Sequence, residues 1–526
     1  MKNNLYIVWI LALVILSGNV AAESFRTISS DKLKDKIAGG WAGKMIGVTY
    51  GAPTEFRAMN RIFEDSIHWT PKDIKGSMWQ DDVYVQLTFL MTMDKYGMET
   101  PAKTYQEMLA KAGYQLWHAN MQTRKNYFDS IFPPLSGSPI YSMHADDIDF
   151  QIESDYLGFM CPGMPQTATR LADKIGHIMN YGDGVYGGAF IASLYCQAFF
   201  ESDIPTIIDK ALQSLPKKSA YYAIIRDVLQ YHKQYPEDWR ATWHAIESKW
   251  GKSDICGAGQ DFNIDAKLNG AYVAIGLLYG NGDAMKTIEI TTRCGQDSDC
   301  NPSNAMAVLG VIKGFKGLPK TMQDGVVAVG DSLFVNTTYS FYTAVNSTYK
   351  YALKWIQKEG GTVSDKEIAI KTQHPKPLPL EVSYPNAVFK KMISVFDAMD
   401  FKFTGCWKVY EITTWQRKVE KQSMVAANVG DALELNFNGT GISIEGNWYK
   451  DGGKADVFVD GQWHQTIDTY YAYANQQHTT SIWHIMNLKP GNHTIKLVVK
   501  GEKRPESTGT KIYVTKAFVF GSGLAH

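Results

Sequence analysis

The sequence predicts two domains of different class, an all-α domain over residues 28–370 and a C-terminal all-β sandwich of jelly-roll type over 382–526, joined by a proline-rich linker at 371–381. Three observations predict this. The chain has 526 residues, whereas single hydrophobic cores stop growing near roughly 250–300 residues. From about Ser30 to about Ile370 the apolar residues recur with helical period. After about Val382 they change to short β-branched and aromatic runs divided by turn signals.

The first residues carry Lys2, an apolar run from Leu5 to Leu16 and the small residues Val20-Ala21-Ala22. This pattern predicts a cleaved signal peptide over 1–22 and a secreted or periplasmic protein. The run falls short of the roughly 20 residues that span a bilayer, so stable membrane insertion after cleavage is not expected. Amphipathic stretches follow at Asp82 to Lys95, Thr167 to Met179, Ala189 to Phe200 and Asn304 to Lys313. In His374-Pro375-Lys376-Pro377-Leu378-Pro379 the prolines remove backbone donors and favour extended chain. Strands are predicted at Leu433 to Phe437 before Asn438-Gly439, Ala455 to Val459 before Asp460-Gly461, and Thr494 to Val499 after Pro490-Gly491.

Composition bounds the partners. The 53 basic residues balance 53 acidic ones, and no Lys/Arg run is long enough for the electrostatic footprint of a nucleic-acid binder. Six cysteines without CxxC pairing define no disulfide framework. A Cys294–Cys300 bridge and buried free thiols both fit the spacing.

Two doubled acidic segments carry the chemistry. Gln80-Asp81-Asp82 and Gly295-Gln296-Asp297-Ser298-Asp299-Cys300 each lead into a helix. Neighbouring residues on a helix diverge by about 100°, so adjacent carboxylates converge only from a turn or a first helical residue. One acidic residue at a helix start is an ordinary cap. A second has no capping role, and close carboxylates repel unless a cation lies between them. Metal binding and capping both remain open on this ground alone. Upstream, Gly39, Gly43, Gly47 and Gly51 recur every four residues and predict a smooth stripe on which another helix packs closely.

Lys36 to Gly47, continuing through Gly51-Ala52-Pro53-Thr54-Glu55-Phe56, resembles the opening helix of the ADP-ribosylglycohydrolase family. Gln80-Asp81-Asp82 stands where that family has Thr-Asp-Asp, and Asp297-Ser298-Asp299-Cys300 where it has Asp-Thr-Asp followed by a hydroxyl residue. The resemblance implies that Asp81, Asp82, Asp297 and Asp299 ligate one or two divalent ions, Mg²⁺ or alternatively Ca²⁺ or another divalent ion, with Gln80 and Cys300 in the remaining positions. It implies Glu55 as the catalytic carboxylate. Gln80 can still offer a carbonyl oxygen. A thiol suits Mg²⁺ poorly, and Val48 replaces a further acidic residue, so the departures at Val48, Gln80 and Cys300 predict an altered metal shell. The order of turns and strands near the C-terminus resembles galactose-binding-like sandwiches appended to carbohydrate enzymes.

Between the acidic segments, polar and glycine-rich connections supply Asp147, Asp149, Asn180, Asp183 and Tyr186 as substrate-side candidates. Turns and helix caps explain the same residues. His118 and His177 stand alone without ligand spacing and are expected to be structural. Trp448, Trp463, Tyr470, Tyr471, Tyr473 and Trp483 offer ring faces for sugars, most of them expected in the core. The expected function is hydrolysis of a glycosidic bond in a carbohydrate or nucleoside-like substrate. Release of ADP-ribose, or glycan binding without turnover, are the alternatives.

Overall fold

The computed structural model describes residues 24–397, 400–413, 417–473 and 479–523; the expected signal peptide lies outside them. Helices run from Ser30 to Lys358, and the C-terminal region is built of antiparallel strands from Ala387 to Ser522. Among the described residues no helix is long and apolar enough to cross a membrane.

The centre of the helical domain is the helix Ser30–Gly51, begun by Ser29, whose side chain accepts a hydrogen bond from the Lys32 amide. Every residue from Gly39 to Gly51 is buried. Its glycine stripe meets the helix Cys300–Lys313. A Cβ added at Gly39 would collide with the backbone of Gly310, at Gly43 with Met306, at Gly47 with Pro302 and at Gly51 with Ser298. One index rises as the other falls, so the two helices are antiparallel and in backbone contact at three successive turns, with Gly51 against the turn before the second helix. Glycine costs about 1 kcal/mol in a helix interior, and here it permits an approach no side chain would allow. The packing places Ser298 and Asp299 against the end of the glycine helix.

The helix Asp81–Tyr96 is held in register by Gln86. Its amide donates to Asp155 Oδ2 at 3.1 Å, and its Oε1 accepts the Tyr156 amide at 3.2 Å. Residues 25–29 and 362–371 depart from the all-helical expectation. Phe25–Ser29 pairs antiparallel with Glu367–Lys371, which also pairs with Thr362–Val363. Ile28, Ile368 and Ile370 are buried there. Strand pairing between the two ends of a domain leaves no trace in local helical periodicity.

The proline-rich segment is a docked strap. The Leu378 amide donates to the Ser214 carbonyl at 3.0 Å, Tyr186 Oη donates to the Pro379 carbonyl at 2.6 Å, and His177 Nε2 lies 3.1 Å from Glu381. Beyond it, one sheet runs in the order Gln462–Asp468, Lys454–Val459, Gly491–Val499, Ala432–Gly439, Phe401–Thr404. The other runs Thr480–Ile485, Gly441–Asn447, Ile512–Ser522, Val419–Ala426, Lys408–Thr413. Ile512–Ser522 also pairs with Ala387–Ser394. The predicted runs at 433–437, 455–459 and 494–499 each fall within one of these strands.

The β domain seats on the helical domain through polar contacts. Tyr384 Oη donates to the Ser142 carbonyl at 2.7 Å, His484 Nε2 lies 2.7 Å from the Pro139 carbonyl, and Arg504 pairs with Asp129. The Arg124 guanidinium stands 4.1 Å from the centre of the Tyr473 ring. Trp448, Tyr471 and Trp483 are buried, whereas Trp463 is 61% exposed.

Candidate metal centre

The two acidic segments converge. The turn Ala52–Thr54 ends the glycine helix and presents Glu55, and Thr54 Oγ1 lies 2.7 Å from Ser298 Oγ. Oxygens of Glu55, Asp297 and Asp299 come within 4.8 Å of one another, as do donor atoms of Asp82, Asp299 and Cys300. Asp299 caps its own helix by accepting the Cys300 amide at 2.9 Å. The reach of Asp297 and Asp299 depends on the turn before them, where Gly295 at φ 85° and Gln296 at φ 53° adopt left-handed conformations. A Cβ on Gly295 would strike the Ala58 carbonyl.

The electrostatics are those of crowded like charges. Loss of water around its carboxyl, then the charges of Asp299, Asp81 and Asp82, push Glu55 up to about 9, although the residue keeps an exposed edge. Burial and Asp299 raise half-buried Asp81 to about 6. Asp82, 1% exposed, rises to about 8 because burial outweighs the opposing charge of Lys44. Burial and Asp299 also drive Asp297 upward. Carboxylates this close cannot all ionise without a cation.

The donor set fits divalent metal, and Asp82 Oδ1 supplies a direct test. It is buried, no protein donor bonds it, and its nearest cation is Lys44 Nζ at 3.5 Å. The Lys44 ammonium is committed to Asp155 at 2.7 Å and to the Ile152 carbonyl at 2.7 Å. Asp149 Oδ2 and Glu153 Oε2 are likewise buried without protein donors. Native interiors rarely leave such oxygens unpartnered. Glu55, Asp297 and Asp299 form an all-oxygen set suited to hard cations. Asp82, Asp299 and Cys300 include a thiol, which donates to Asp82 Oδ2 at 3.2 Å, and suit a softer ion better. Gln80 is the half-buried residue preceding Asp81. Its carbonyl accepts the Val83 and Tyr84 amides, and its side chain does not cap the helix. Val48 is fully buried in the glycine helix.

The substrate-side candidates divide. Asp149 is near enough for its charge to raise Asp81; its Oδ1 accepts the Asn120 amide at 2.9 Å while Oδ2 remains without a protein donor. Asp147 instead faces His144 and His118 at 2.7 and 3.5 Å. Asn180 is fully buried and bonds the Phe150 amide and the carbonyls of His144, Ala145 and Asp147, shaping the loop that carries Asp149. Asp183 accepts the Tyr221 amide at 3.0 Å, and Tyr186 anchors the strap. Asn180 and Tyr186 spend their polar atoms on the protein itself, and Asp183 spends one carboxylate oxygen there.

Lys44, Asp155 and Glu153 were not singled out by sequence reasoning. The signal for Lys44 was a charged residue on the buried glycine-rich face of a helix. Glu153 is buried, hydrogen-bonded to Asn120, and raised by burial and by Asp149. All six cysteines are free, Cys294 and Cys300 included. Two depart from the expected burial: Cys256, in the loop before the helix Ala266–Gly280, is partly buried, and Cys406 is exposed.

The model of the ADP-ribosylglycohydrolase family matches residues 29–341, and that of the carbohydrate esterase 2 N-terminal domain matches residues 417–516. No curated protein matches the chain. A structure described as an ADP-ribosylglycohydrolase-related protein complex is 12% identical over 61% of this chain and 99% of its own, with a TM-score of 0.44. A family two carbohydrate esterase from Cellvibrio japonicus is 15% identical over 26% of this chain and 34% of its own, at 0.18. A carbohydrate-binding module of family CBM36 in complex with calcium and xylotriose is 15% identical over 24% of this chain and 99% of its own, at 0.17. With more than half its length matched by one family model, and the paired acidic segments meeting beside Glu55, the chain belongs to the ADP-ribosylglycohydrolase family.

Proposed function

We propose that the protein is an exported, metal-dependent glycoside hydrolase acting on an O- or N-glycosidic bond of a carbohydrate or nucleoside-like substrate. The observation that carries this reading is the convergence of Glu55 with Asp82, Asp297, Asp299 and Cys300, together with the unpartnered buried oxygen of Asp82. In it, Asp81, Asp82, Asp297 and Asp299 hold one or two divalent ions, Mg²⁺ at the all-oxygen position. When bound, such an ion orients vicinal hydroxyls and stabilises charge as a glycosidic bond breaks. Once a bound cation offsets the charges of Asp299, Asp81 and Asp82, Glu55 at the exposed edge of the site would ionise, and a carboxylate there takes the proton of an attacking water. Lys44, held by Asp155, sets its charge beside Asp82.

The family match to a carbohydrate esterase domain favours a carbohydrate ligand over protein-bound ADP-ribose. In this reading the β domain, a galactose-binding-like sandwich, contributes to glycan recognition. A screen of glycans, aryl glycosides, nucleosides and ADP-ribosyl peptides tests it. Turnover of a glycan or aryl glycoside that stops on chelation and in Glu55→Gln is expected. Turnover of ADP-ribosyl peptides alone would contradict it.

A further inference from the structure

A second group of ligating side chains lies outside the acidic centre. We infer that His118, His144, Asp147 and Cys256 form a closed site for a borderline divalent ion of the zinc class, tying three separate segments together under the β domain. The four donor atoms lie within 4.8 Å of one another. His118 begins the helix His118–Phe128, His144 and Asp147 share one loop, and Cys256 comes from the loop between the helices Trp239–Trp250 and Ala266–Gly280.

Hydrogen bonding within this cluster is crowded onto one carboxylate oxygen and one ring nitrogen. His144 Nδ1 faces Asp147 Oδ2 at 2.7 Å and Cys256 Sγ at 3.1 Å. The same Asp147 oxygen lies 3.5 Å from His118 Nδ1. An imidazole nitrogen has either one lone pair or one N–H in its plane, so it serves one such partner well and not two. A cation at the shared centre satisfies all four. Zinc bonds of about 2.0 Å to nitrogen and oxygen and about 2.3 Å to sulfur put tetrahedral donors roughly 3.3–3.6 Å apart. The His118–Asp147 separation of 3.5 Å falls in that range, and the 3.1 and 2.7 Å separations from His144 are shorter and would open by a few tenths of an ångström around an ion.

The surroundings are organised as for a ligand set. His144 Nε2 lies 3.5 Å from Thr480 Oγ1 of the β domain, a partner for the ring nitrogen that does not face the centre. His118 stacks on Phe262, and its backbone has φ 41°, a left-handed conformation costly for a residue with a Cβ. Asp254 accepts the Gly257 and Ile264 amides at 2.9 Å and so shapes the loop that carries Cys256. His144 and Asp147 are buried. Two neutral imidazoles, a carboxylate and a thiolate carry the charge that one divalent cation cancels. Filling all four positions with protein makes the site structural. It braces the segment that, two residues on, presents Asp149 to the acidic centre.

Titration of the chelator-treated full-length protein with Co²⁺ tests the inference. One equivalent should give a sulfur-to-cobalt charge-transfer band that Zn²⁺ displaces. Cys256→Ser should abolish the band, His118→Gln should weaken binding by about tenfold or more, and Cys300→Ser should leave the band in place. The inference is overturned if the unmutated protein gives no such band, or if the band survives Cys256→Ser and disappears in Cys300→Ser. The first of these outcomes needs no variant to fold, and neither depends on the activity proposed above.

Discussion

The acidic centre and the His118–His144–Asp147–Cys256 cluster are two ways of gathering ligands. The first draws on carboxylates placed in pairs at helix starts, clamped by a helix–helix contact that only glycine permits. The second draws on single residues from three segments, aimed by loops. The difference teaches that paired ligands on regular elements announce themselves in a sequence and scattered ones do not. It also predicts opposite metal preferences, oxygen-rich and hard against sulfur- and nitrogen-containing and borderline.

The largest effects fall on the acidic side of that comparison. Asp299→Asn removes a residue shared by both of its ligand groups, and divalent affinity should fall by about 100-fold or more, read by titration calorimetry. Glu55→Gln should lower turnover by roughly 10²–10⁴-fold while leaving metal affinity within a few-fold, because it removes a proton acceptor. Equal loss of binding and turnover would instead make Glu55 chiefly a ligand.

Next come the glycines. Gly47→Ala should destabilise the helical domain by about 1–3 kcal/mol, the cost of forcing a methyl into packed backbone. Gly113→Ala, where the added Cβ meets nothing within 4 Å, should leave the melting temperature unchanged. If both variants melt alike, the helix clamp is not what holds the site. Cys300→Ser is a gentler probe. Replacing sulfur with oxygen should shift preference toward Mg²⁺ over Zn²⁺ by about tenfold, measured by competition.

The smallest effect concerns the strap. Burial pushes the His177 imidazole down, but hydrogen bonds to Glu381 and to the Asp173 carbonyl outweigh it, and the net shift is upward. A raised folded value means that this contribution is fully present below the unfolded value of about 6.5 and is lost as pH rises through the folded one. The expected loss is below about 1 kcal/mol, seen as a fall in melting temperature above neutrality that Glu381→Gln removes. Identical profiles for the two proteins would count against the anchor.

Much of this was legible. The glycine stripe signalled a close helix contact because four-residue spacing of the smallest side chain serves little else. The acidic doublets left a cap and a cation both open, and the fold brings Asp82, Asp297 and Asp299 together. The bonds of Asn180, Asp183 and Tyr186 to other parts of the chain were not legible, because polar loops near a pocket and polar loops gripping distant chain look alike in sequence. The partner of Tyr186 is Pro379, far along the chain. His118 looked isolated for the same reason, since its neighbours His144, Asp147 and Cys256 are assembled only by the fold.

The central claim is that the two acidic segments hold the ion on which hydrolysis depends. It is tested most directly by following hydrolysis of a responsive glycoside after chelation and on readdition of Mg²⁺, for the unmutated protein and Asp299→Asn. The account predicts loss of turnover on chelation, recovery with Mg²⁺ in the unmutated protein, and no recovery in Asp299→Asn. Turnover that is indifferent to both chelation and the substitution would contradict it.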